Sequence, residues 1–268
     1  HSLDFLIEVM IGYGMAYQEH QTLRGIQQEI KSEIEIAANV QQTLLGTKVP
    51  QEEALDIGAI SVPAKQMSGD YYHFVKDKES INIAIADVIG KGIPAALCMS
   101  MIKYAMDSLP ETGIHPSQVL KNLNRVVEQN VDASMFITMF YANYNMDKHQ
   151  FTYASAGHEP GFYYSQKDNT FYDLEAKGLV LGISQDYDYK QFDQHLEKGD
   201  MIVLFSDGVT ECRTENGFLE RPDLQKLIEE HMCSSAQEMV KNIYDSLLKL
   251  QDFQLHDDFT LIVLRRKV

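Results

Sequence analysis

Positive charge is scarce in this chain. Among 268 residues, 23 Lys and Arg stand against 39 Asp and Glu, so the formal net charge at pH 7 is −16. A chain this acidic has no general attraction for phosphate backbones, so we expect no nucleic-acid binding. The excess carboxylates indicate either a well-solvated acidic surface or, in part, a site for hard divalent cations.

Cysteine is also rare, and long hydrophobic runs are missing. Cys98, Cys212 and Cys233 form neither a CxxC pair nor a plausible disulfide framework, which predicts a protein of the reducing cytoplasm. The apolar stretch at residues 5–15 is interrupted by a glutamate, is too short to span a bilayer and lacks a basic signal-peptide region. We therefore expect no membrane association. The start at His1-Ser2 rather than Met favours a fragment of a longer protein.

An amphipathic helix is predicted for residues 15–46. Its apolar positions recur at steps of four or three, and no proline interrupts them before Pro50; they are Ile26, Ile30, Ile34, Ala37, Val40 and Leu44. A helix of this length cannot bury so narrow a seam on itself, so it should pack against a second copy, a partner protein or the following domain. We assign residues 1–50 to a regulatory linker helix and residues 51–268 to a separate domain.

After Pro50 the pattern changes to short strands with few helices. Apolar alternation predicts strands over 55–62, 81–86, 135–145, 150–156, 160–165, 171–175, 190–196, 201–206 and 259–264. Helices are predicted to follow Pro94 and Pro116 and to cover 222–231 and 236–250. Because most strands follow one another directly instead of alternating with helices, an α+β layered fold is favoured over a wound parallel sheet.

Four acidic segments at the ends of predicted strands form the candidate site: Ser68-Gly69-Asp70, Asp87-Val88-Ile89-Gly90, Ser206-Asp207-Gly208 and Asp257-Asp258. Any one of them could be only a turn, since Asp-Gly is a common turn pair. Taken together, they would bring carboxylates to one edge of a sheet. Concentrated negative charge there is unfavourable without a cation, and all-oxygen ligands suit Mg²⁺ or Mn²⁺.

This ordered set of motifs resembles the metal-dependent Ser/Thr protein phosphatase family (PPM), in its bacterial regulatory branch of the SpoIIE/RsbU type. Ala156-Gly157-His158, followed by Pro160, and the glycine-bounded segment 178–182 lie between the acidic motifs as in that branch. The match runs from about residue 54 to the end of the chain. The resemblance implies an α+β fold, a β-sandwich flanked by helices on both faces, and makes residues 51–268 a PPM-type phosphatase domain.

The resemblance also implies roles by motif position. Two Mn²⁺ or Mg²⁺ ions would be bridged by Asp87, with one bound by the Val88 carbonyl, the second held by Asp207 and Asp257, and Asp70 binding a metal or its water. Asp257 is taken over Asp258 because the first acidic residue of the family motif is the ligand, but the choice stays open by one residue.

Hydrolysis would use a hydroxide shared between the two metals, which attacks phosphorus in line with the serine or threonine leaving oxygen. No covalent phosphoenzyme is required. Many relatives carry His at the position of Lys91, so this departure leaves the proton donor to the leaving group open.

The same resemblance implies a role in partner switching. The substrate would be a phosphorylated anti-anti-sigma factor of the RsbV type in a bacterial general stress response. A kinase-like activator of the RsbT type would act through the N-terminal helix of a homodimer.

Gly90-Lys91-Gly92 is not a nucleotide phosphate loop, because Ile85 stands where that motif needs glycine. The remaining alternative is a catalytically silent scaffold of the same fold.

Overall fold

The computed structural model describes residues 2–90, 92–109, 115–132, 135–214, 217–232 and 235–267. The chain divides into two compact units, His1–Thr43 and Leu44–Val268. Helix α1 (Ser2–Leu45) accounts for the first unit. It begins well before residue 15, so the predicted start of the helix was wrong. Residues 5–15 lack the apolar seam pattern, but they contain no proline and continue the helix toward the N-terminus. Within the described residues, no helix has both the length and the apolar character to cross a bilayer.

The second unit contains twelve strands and five helices within the described residues. In chain order they are β1 (Leu55–Val62), β2 (Asp70–Lys76), β3 (Ser80–Ile89), α2 (Ile93–Asp107), α3 (Pro116–Asn130), β4 (Phe136–Asn145), β5 (Gln150–Ala156), β6 (Phe162–Ser165), β7 (Thr170–Asp173), β8 (Gln191–His195), β9 (Met201–Phe205), α4 (Asp207–Thr210), β10 (Arg213–Thr214), β11 (Gly217–Phe218), α5 (Arg221–Glu230), α6 (Ala236–Leu250) and β12 (Phe259–Arg266). Prolines lie in the first turn of α2, α3 and α5, and a capping box of Ser235 and Glu238 begins α6.

Two five-stranded antiparallel sheets form the centre of this unit. The first has the order β1-β12-β9-β6-β7, the second the order β2-β3-β4-β5-β8, and β10 and β11 form a separate hairpin. The predicted α+β sandwich flanked by helices on both faces is confirmed. The elements β2, α4, β10 and β11 were not predicted, because β2 carries aromatic residues without clean alternation and the other three are very short.

Three apolar layers hold these elements together. One lies between the two sheets, one between the second sheet and helices α2 and α3, and one between the first sheet and helices α5 and α6. Because side chains alternate between the two faces of a strand, β3 supplies two of the layers. Ile81, Ile83 and Ile85 face the other sheet, and Ala84 and Ala86 face the helices.

The acidic residues do not all lie where the sequence placed them. Asp87 was expected to follow a strand that ends at residue 86, but β3 continues to Ile89 and Asp87 lies inside it. Asp70 begins β2 and does not end a strand. Asp70 and Asp87 pair with each other in the β2–β3 ladder, and Asp87 also pairs with Thr138 of β4. These pairs extend both strands beyond their apolar residues.

Candidate active site

Polar side chains replace the apolar layer between the sheets at one end of the sandwich. The Asp87 side chain lies on the same face of β3 as Ile85, and the Asp70 side chain lies on the same face of β2 as Phe74. On the other sheet, Ser206 follows the face of β9 that carries Leu204. Side-chain alternation therefore turns polar groups from both sheets toward the same end of the inter-sheet space.

Asp70 and Asp87 are direct cross-strand neighbours in the β2–β3 ladder. Asp70 is only 3% exposed, and burial, followed by the charge of Asp87, raises its pKa well above the usual range. Burial raises the pKa of Asp87 to about 7, and the charges of Asp207 and Asp257 add to the rise. A buried carboxylate beside a half-buried one is unfavourable as a pair of anions, so this pair needs a proton or a cation.

Ser206 connects Asp70 to the opposite sheet. Its Oγ donates to Asp70 Oδ2 at 2.6 Å and accepts from the Thr260 backbone N–H at 3.1 Å. The Ser206 N–H also donates to the Thr260 carbonyl at 3.0 Å, at the end of the β9–β12 ladder. The position of Asp70 is therefore fixed by both sheets.

Asp207 is the first residue of α4, a single helical turn directly after β9. The turn lies against the loop before β12: a Cβ on Gly208 would stand 1.8 Å from the Asp258 carbonyl oxygen, so only glycine fits. Burial raises the pKa of Asp207 to about 6, and the charges of Glu211 and Asp257 add to the rise. The Asp-Gly pair thus brings Asp207 close to the segment that carries Asp257.

The two neighbouring acidic residues before β12 have different surroundings. Asp258 accepts hydrogen bonds from the Ala64 N–H at 2.8 Å, the Gly69 N–H at 2.6 Å and the Ser68 hydroxyl at 3.2 Å, so its carboxylate holds the loop before β2. Asp257 is half-buried, and its Oδ1 accepts from the Asp258 N–H at 3.0 Å. This division of contacts supports Asp257 over Asp258 as the candidate ligand.

The Val88 carbonyl lies where the β2–β3 ladder ends. The Val88 N–H donates to the Gly69 carbonyl at 3.3 Å, as in an antiparallel pair. The reciprocal donor, the Gly69 N–H, turns instead to Asp258. The Val88 carbonyl oxygen faces Gly69, whose Cβ, if it had one, would stand 3.6 Å away. A Cβ there would make only an ordinary contact, but the oxygen has lost its ladder donor to Asp258, which fits a role as a ligand.

The donor chemistry of this end of the sandwich fits hard divalent cations. The structure brings Asp70, Asp87, Asp207 and Asp257 into one electrostatic neighbourhood, next to the Val88 carbonyl, and every candidate donor is an oxygen. Within the described part of the chain, no three Asp, Glu, His or Cys side chains form a group that could hold an ion as they stand. The carboxylates therefore share a region without forming a finished ligand sphere.

Two residues near Asp207 were missed as functional candidates. His158 is buried, and burial lowers its pKa to about 4. The next residue, Glu159, accepts a hydrogen bond from Thr210 of α4. The only sequence signal was that His158 ends the Ala-Gly-His motif and that Glu159 follows it directly. Lys91, which stands where many relatives carry His, lies outside the described residues.

Comparison with known proteins agrees with this geometry. Residues 77–267 match the family described as Stage II sporulation protein E (SpoIIE). The chain is 25% identical over 292 residues to Protein IcfG of Synechocystis sp., covering 96% of this chain and 46% of IcfG. It is 24% identical over 184 residues to the phosphoserine phosphatase RsbP of Bacillus subtilis, covering 67% of this chain and 45% of RsbP. It therefore spans less than half the length of these relatives.

Among solved structures, the SiaA-PP2C domain of Pseudomonas aeruginosa superimposes with a TM-score of 0.77 at 18% identity, covering 90% of this chain and 98% of that domain. At this identity the likeness establishes the fold. The family match covers most of the chain and includes Asp87, Asp207 and Asp257. The chain belongs to the SpoIIE family, and its second unit is a PPM-type protein phosphatase domain of the bacterial regulatory branch.

Proposed function

We propose that this chain is a metal-dependent protein-serine phosphatase that dephosphorylates a phosphorylated anti-anti-sigma factor of the RsbV type in a bacterial general stress response. The observation that carries the proposal is the group of one buried and three half-buried carboxylates that gathers at one end of the sandwich, on β2, β3, α4 and the loop before β12. The family is metal-dependent, and the relative RsbP is named a phosphoserine phosphatase. The buried free thiols of Cys98 and Cys212 suit a reducing compartment such as the cytoplasm.

Each candidate ligand has a distinct task in this proposal. Asp87 would bridge two Mn²⁺ or Mg²⁺ ions, with the Val88 carbonyl on one, Asp207 and Asp257 on the other, and Asp70 on a metal or its water. When bound, such ions lower the pKa of water and offset charge on phosphoryl oxygens. The protein holds Asp70 and Asp87 in the β2–β3 ladder, and Asp207 and Asp257 in the segments that follow β9 and precede β12, so once ions are bound the charges that stabilise the phosphoryl group are positioned before it transfers.

Hydrolysis of an aryl phosphate separates the enzyme from a catalytically silent scaffold. We expect the wild type to release phosphate when Mn²⁺ is supplied and Asp87→Asn to lose at least about 100-fold in rate, because the proposed bridging charge is gone. Asp186→Asn removes the same charge from an exposed site and should retain the wild-type rate. A wild type that binds Mn²⁺ but releases no phosphate would favour the scaffold.

The substrate is tested with phosphoproteins. A serine-phosphorylated anti-anti-sigma protein should lose its phosphate faster than the same protein carrying phosphotyrosine, and Asp87→Asn should act on neither. Equal rates on both would argue against a dedicated serine phosphatase. Addition of a kinase-like switch protein of the RsbT type should increase the rate on the serine substrate, and an unchanged rate would remove the proposed activator.

Helix α1 is the proposed regulatory element. Its seam residues Ile26 and Ile30 are each about half exposed, at 49% and 51%. A second copy of the same helix offers a matching apolar seam, since 3–4 spacing is that of a coiled coil. We therefore propose that α1 forms a homodimer and that the activator acts through it.

The double substitution Ile30→Asp and Ile34→Asp places two charges in the seam. We expect it to convert a dimer to a monomer in analytical ultracentrifugation and to reduce the response to the activator. Gln28→Asp with Ser32→Asp adds the same charge on the opposite face of the helix and is the matched control. Loss of the dimer in both variants, or in neither, would contradict the role of the seam.

A further inference from the structure

Two consecutive residues after β5 reach the segment that carries Asp207. The first is His158, which is buried and lies between the two sheets. Its Nε2 lies 3.1 Å from the Phe205 carbonyl oxygen, and its Nδ1 lies 2.9 Å from the Thr138 hydroxyl. A carbonyl can only accept, so Nε2 carries the proton and Nδ1 accepts from Thr138. Phe205 is two residues before Asp207, and Thr138 is the cross-strand neighbour of Asp87.

The second residue, Glu159, contacts the other end of the same segment. Its Oε2 accepts from the Thr210 hydroxyl at 2.7 Å, and Thr210 is the last residue of α4. Its Oε1 accepts from Arg221 Nη1 at 3.1 Å, while Arg221 Nη2 donates to Asp173 at 2.7 Å. The Arg221 guanidinium also lies 4.3 Å from the centre of the Phe162 ring. Glu159 is therefore held in place by groups outside α4.

A single helical turn needs such outside contacts. Helix α4 has four residues, and the backbone bonds that close it are Val209 N–H to Ser206 at 3.0 Å and Glu211 N–H to Asp207 at 2.6 Å. A helix this short has no stability of its own, because nucleation costs more than one or two hydrogen bonds return. The orientation of the Asp207 carboxylate must then depend on what fixes the two ends of the segment.

We propose that His158 and Glu159 form a positioning pair that sets the Asp207 carboxylate against Asp87 on the other sheet. His158 fixes the start of the segment through Phe205, and Glu159 fixes its end through Thr210. The inference rests on the proposed function, because it concerns the affinity of the second ion, which Asp207 would hold. Neither residue touches the ion or the substrate in this account; both act through Asp207.

Thr210 allows the sharpest test, because one hydroxyl can be removed without changing the side-chain shape. Thr210→Val loses the donor to Glu159 and also the longer contact of the same hydroxyl with the Asp207 carbonyl at 3.2 Å, and Thr210→Ser keeps both. Glu159→Ala removes only the first of these contacts. Thr152→Val is the matched control, since the Thr152 hydroxyl also donates to a carboxylate, that of Asp193 at 2.6 Å, on the exposed edge of the second sheet. Free Mn²⁺ is measured by electron paramagnetic resonance during titration of each protein, which gives affinity without reference to turnover.

We expect Thr210→Val to weaken the second Mn²⁺ site by roughly tenfold, the low end for loss of a group that orients a ligand. Thr210→Ser should return to within about twofold of the wild type, and Thr152→Val should not differ from it. Glu159→Gln, which keeps an acceptor for Thr210, should weaken the site less than Glu159→Ala.

The two proposals fail in different ways. Unchanged Mn²⁺ affinity in Thr210→Val, or an equal loss in Thr210→Ser, would overturn the positioning pair while leaving the proposed function intact. Thermal unfolding of the metal-free proteins shows whether a variant is destabilised in general. If Thr152→Val lost as much Mn²⁺ affinity as Thr210→Val, the positioning pair would also be overturned. A wild type that binds no Mn²⁺ would refute the proposed function together with the pair.

Discussion

The two adjacent carboxylates before β12 should separate into a structural and a metal-binding role. Asp258 accepts from two backbone N–H groups and one hydroxyl, whereas Asp257 accepts from the N–H of its own neighbour. In Asp258→Asn one oxygen becomes an NH₂ group that faces an N–H donor. One charged hydrogen bond is lost, which costs about 1.5–3 kcal/mol. For a domain of this size that lowers the melting temperature by about 3–12 °C.

Asp257→Asn should behave in the opposite way. An asparagine oxygen can still accept from the Asp258 N–H, so we expect the free energy of unfolding of the metal-free protein to stay within about 0.5 kcal/mol of the wild type. Mn²⁺ affinity should fall by more than about tenfold, since the loss of a ligand costs at least as much as the loss of a group that orients one. Differential scanning calorimetry without metal and Mn²⁺ titration measure the two properties separately.

The reverse pattern in the two variants would refute this division of roles between Asp257 and Asp258. If Asp258→Asn abolished Mn²⁺ binding at unchanged stability while Asp257→Asn destabilised the metal-free domain, the ligand would be Asp258, and its contacts with the loop before β2 would not stabilise the fold. Equal effects in both variants would show that the two carboxylates act as one group. A third variant, Asp258→Ala, should be less stable than Asp258→Asn, because it leaves all three donors without their acceptor.

Three further predictions concern pH, packing and metal. Burial lowers the pKa of His158 to about 4, so below pH 6.5 the unfolded chain binds more protons than the folded protein does. Between pH 7.5 and pH 5 the wild type should therefore lose about 2 kcal/mol more unfolding free energy than His158→Gln, as measured by urea titration. Gly208→Ala should lower the melting temperature and weaken Mn²⁺ binding, because its Cβ would overlap the Asp258 carbonyl, whereas Gly25→Ala, with nothing within 4 Å, should leave the domain unchanged. Mn²⁺ at 100 times its dissociation constant should stabilise the wild type by about 2.7 kcal/mol in thermal unfolding, and Asp87→Asn should not respond.

Much of the candidate site could be predicted because it follows strand alternation. The same period that turns Ile83 and Ile85 toward the opposite sheet also turns Asp87 there, and this period is visible in the sequence. The expectation that acidic segments converge at one end needed only that the strands be neighbours. The error over Asp87, which lies inside β3, did not harm the prediction, since the last residues of a strand project into the same space as the loop that follows.

The rest depended on contacts between distant parts of the chain. Which of two consecutive acidic residues faces the loop before β2 is decided by hydrogen bonds from Ala64 and Gly69, nearly two hundred residues away, and no local pattern encodes them. The contact between Glu159 and Thr210 is of the same kind. The single turn α4 was also out of reach, because a four-residue helix shows no periodicity.

The placement of the acidic end follows from how the sandwich is stabilised. The layer between the sheets is apolar along β1, β3, β4, β9 and β12. Its burial stabilises the sandwich and offsets the repulsion between the carboxylates at the polar end. Asp70 and Asp87 lie on one sheet, whereas Asp207 follows β9 and Asp257 precedes β12 of the other sheet, so an ion shared among them would also cross-link the sheets. Any change in the spacing of the sheets at this end would then alter metal affinity before it disturbed the apolar layer. A regulator of the proposed phosphatase would therefore be able to act on metal binding at little cost to the fold.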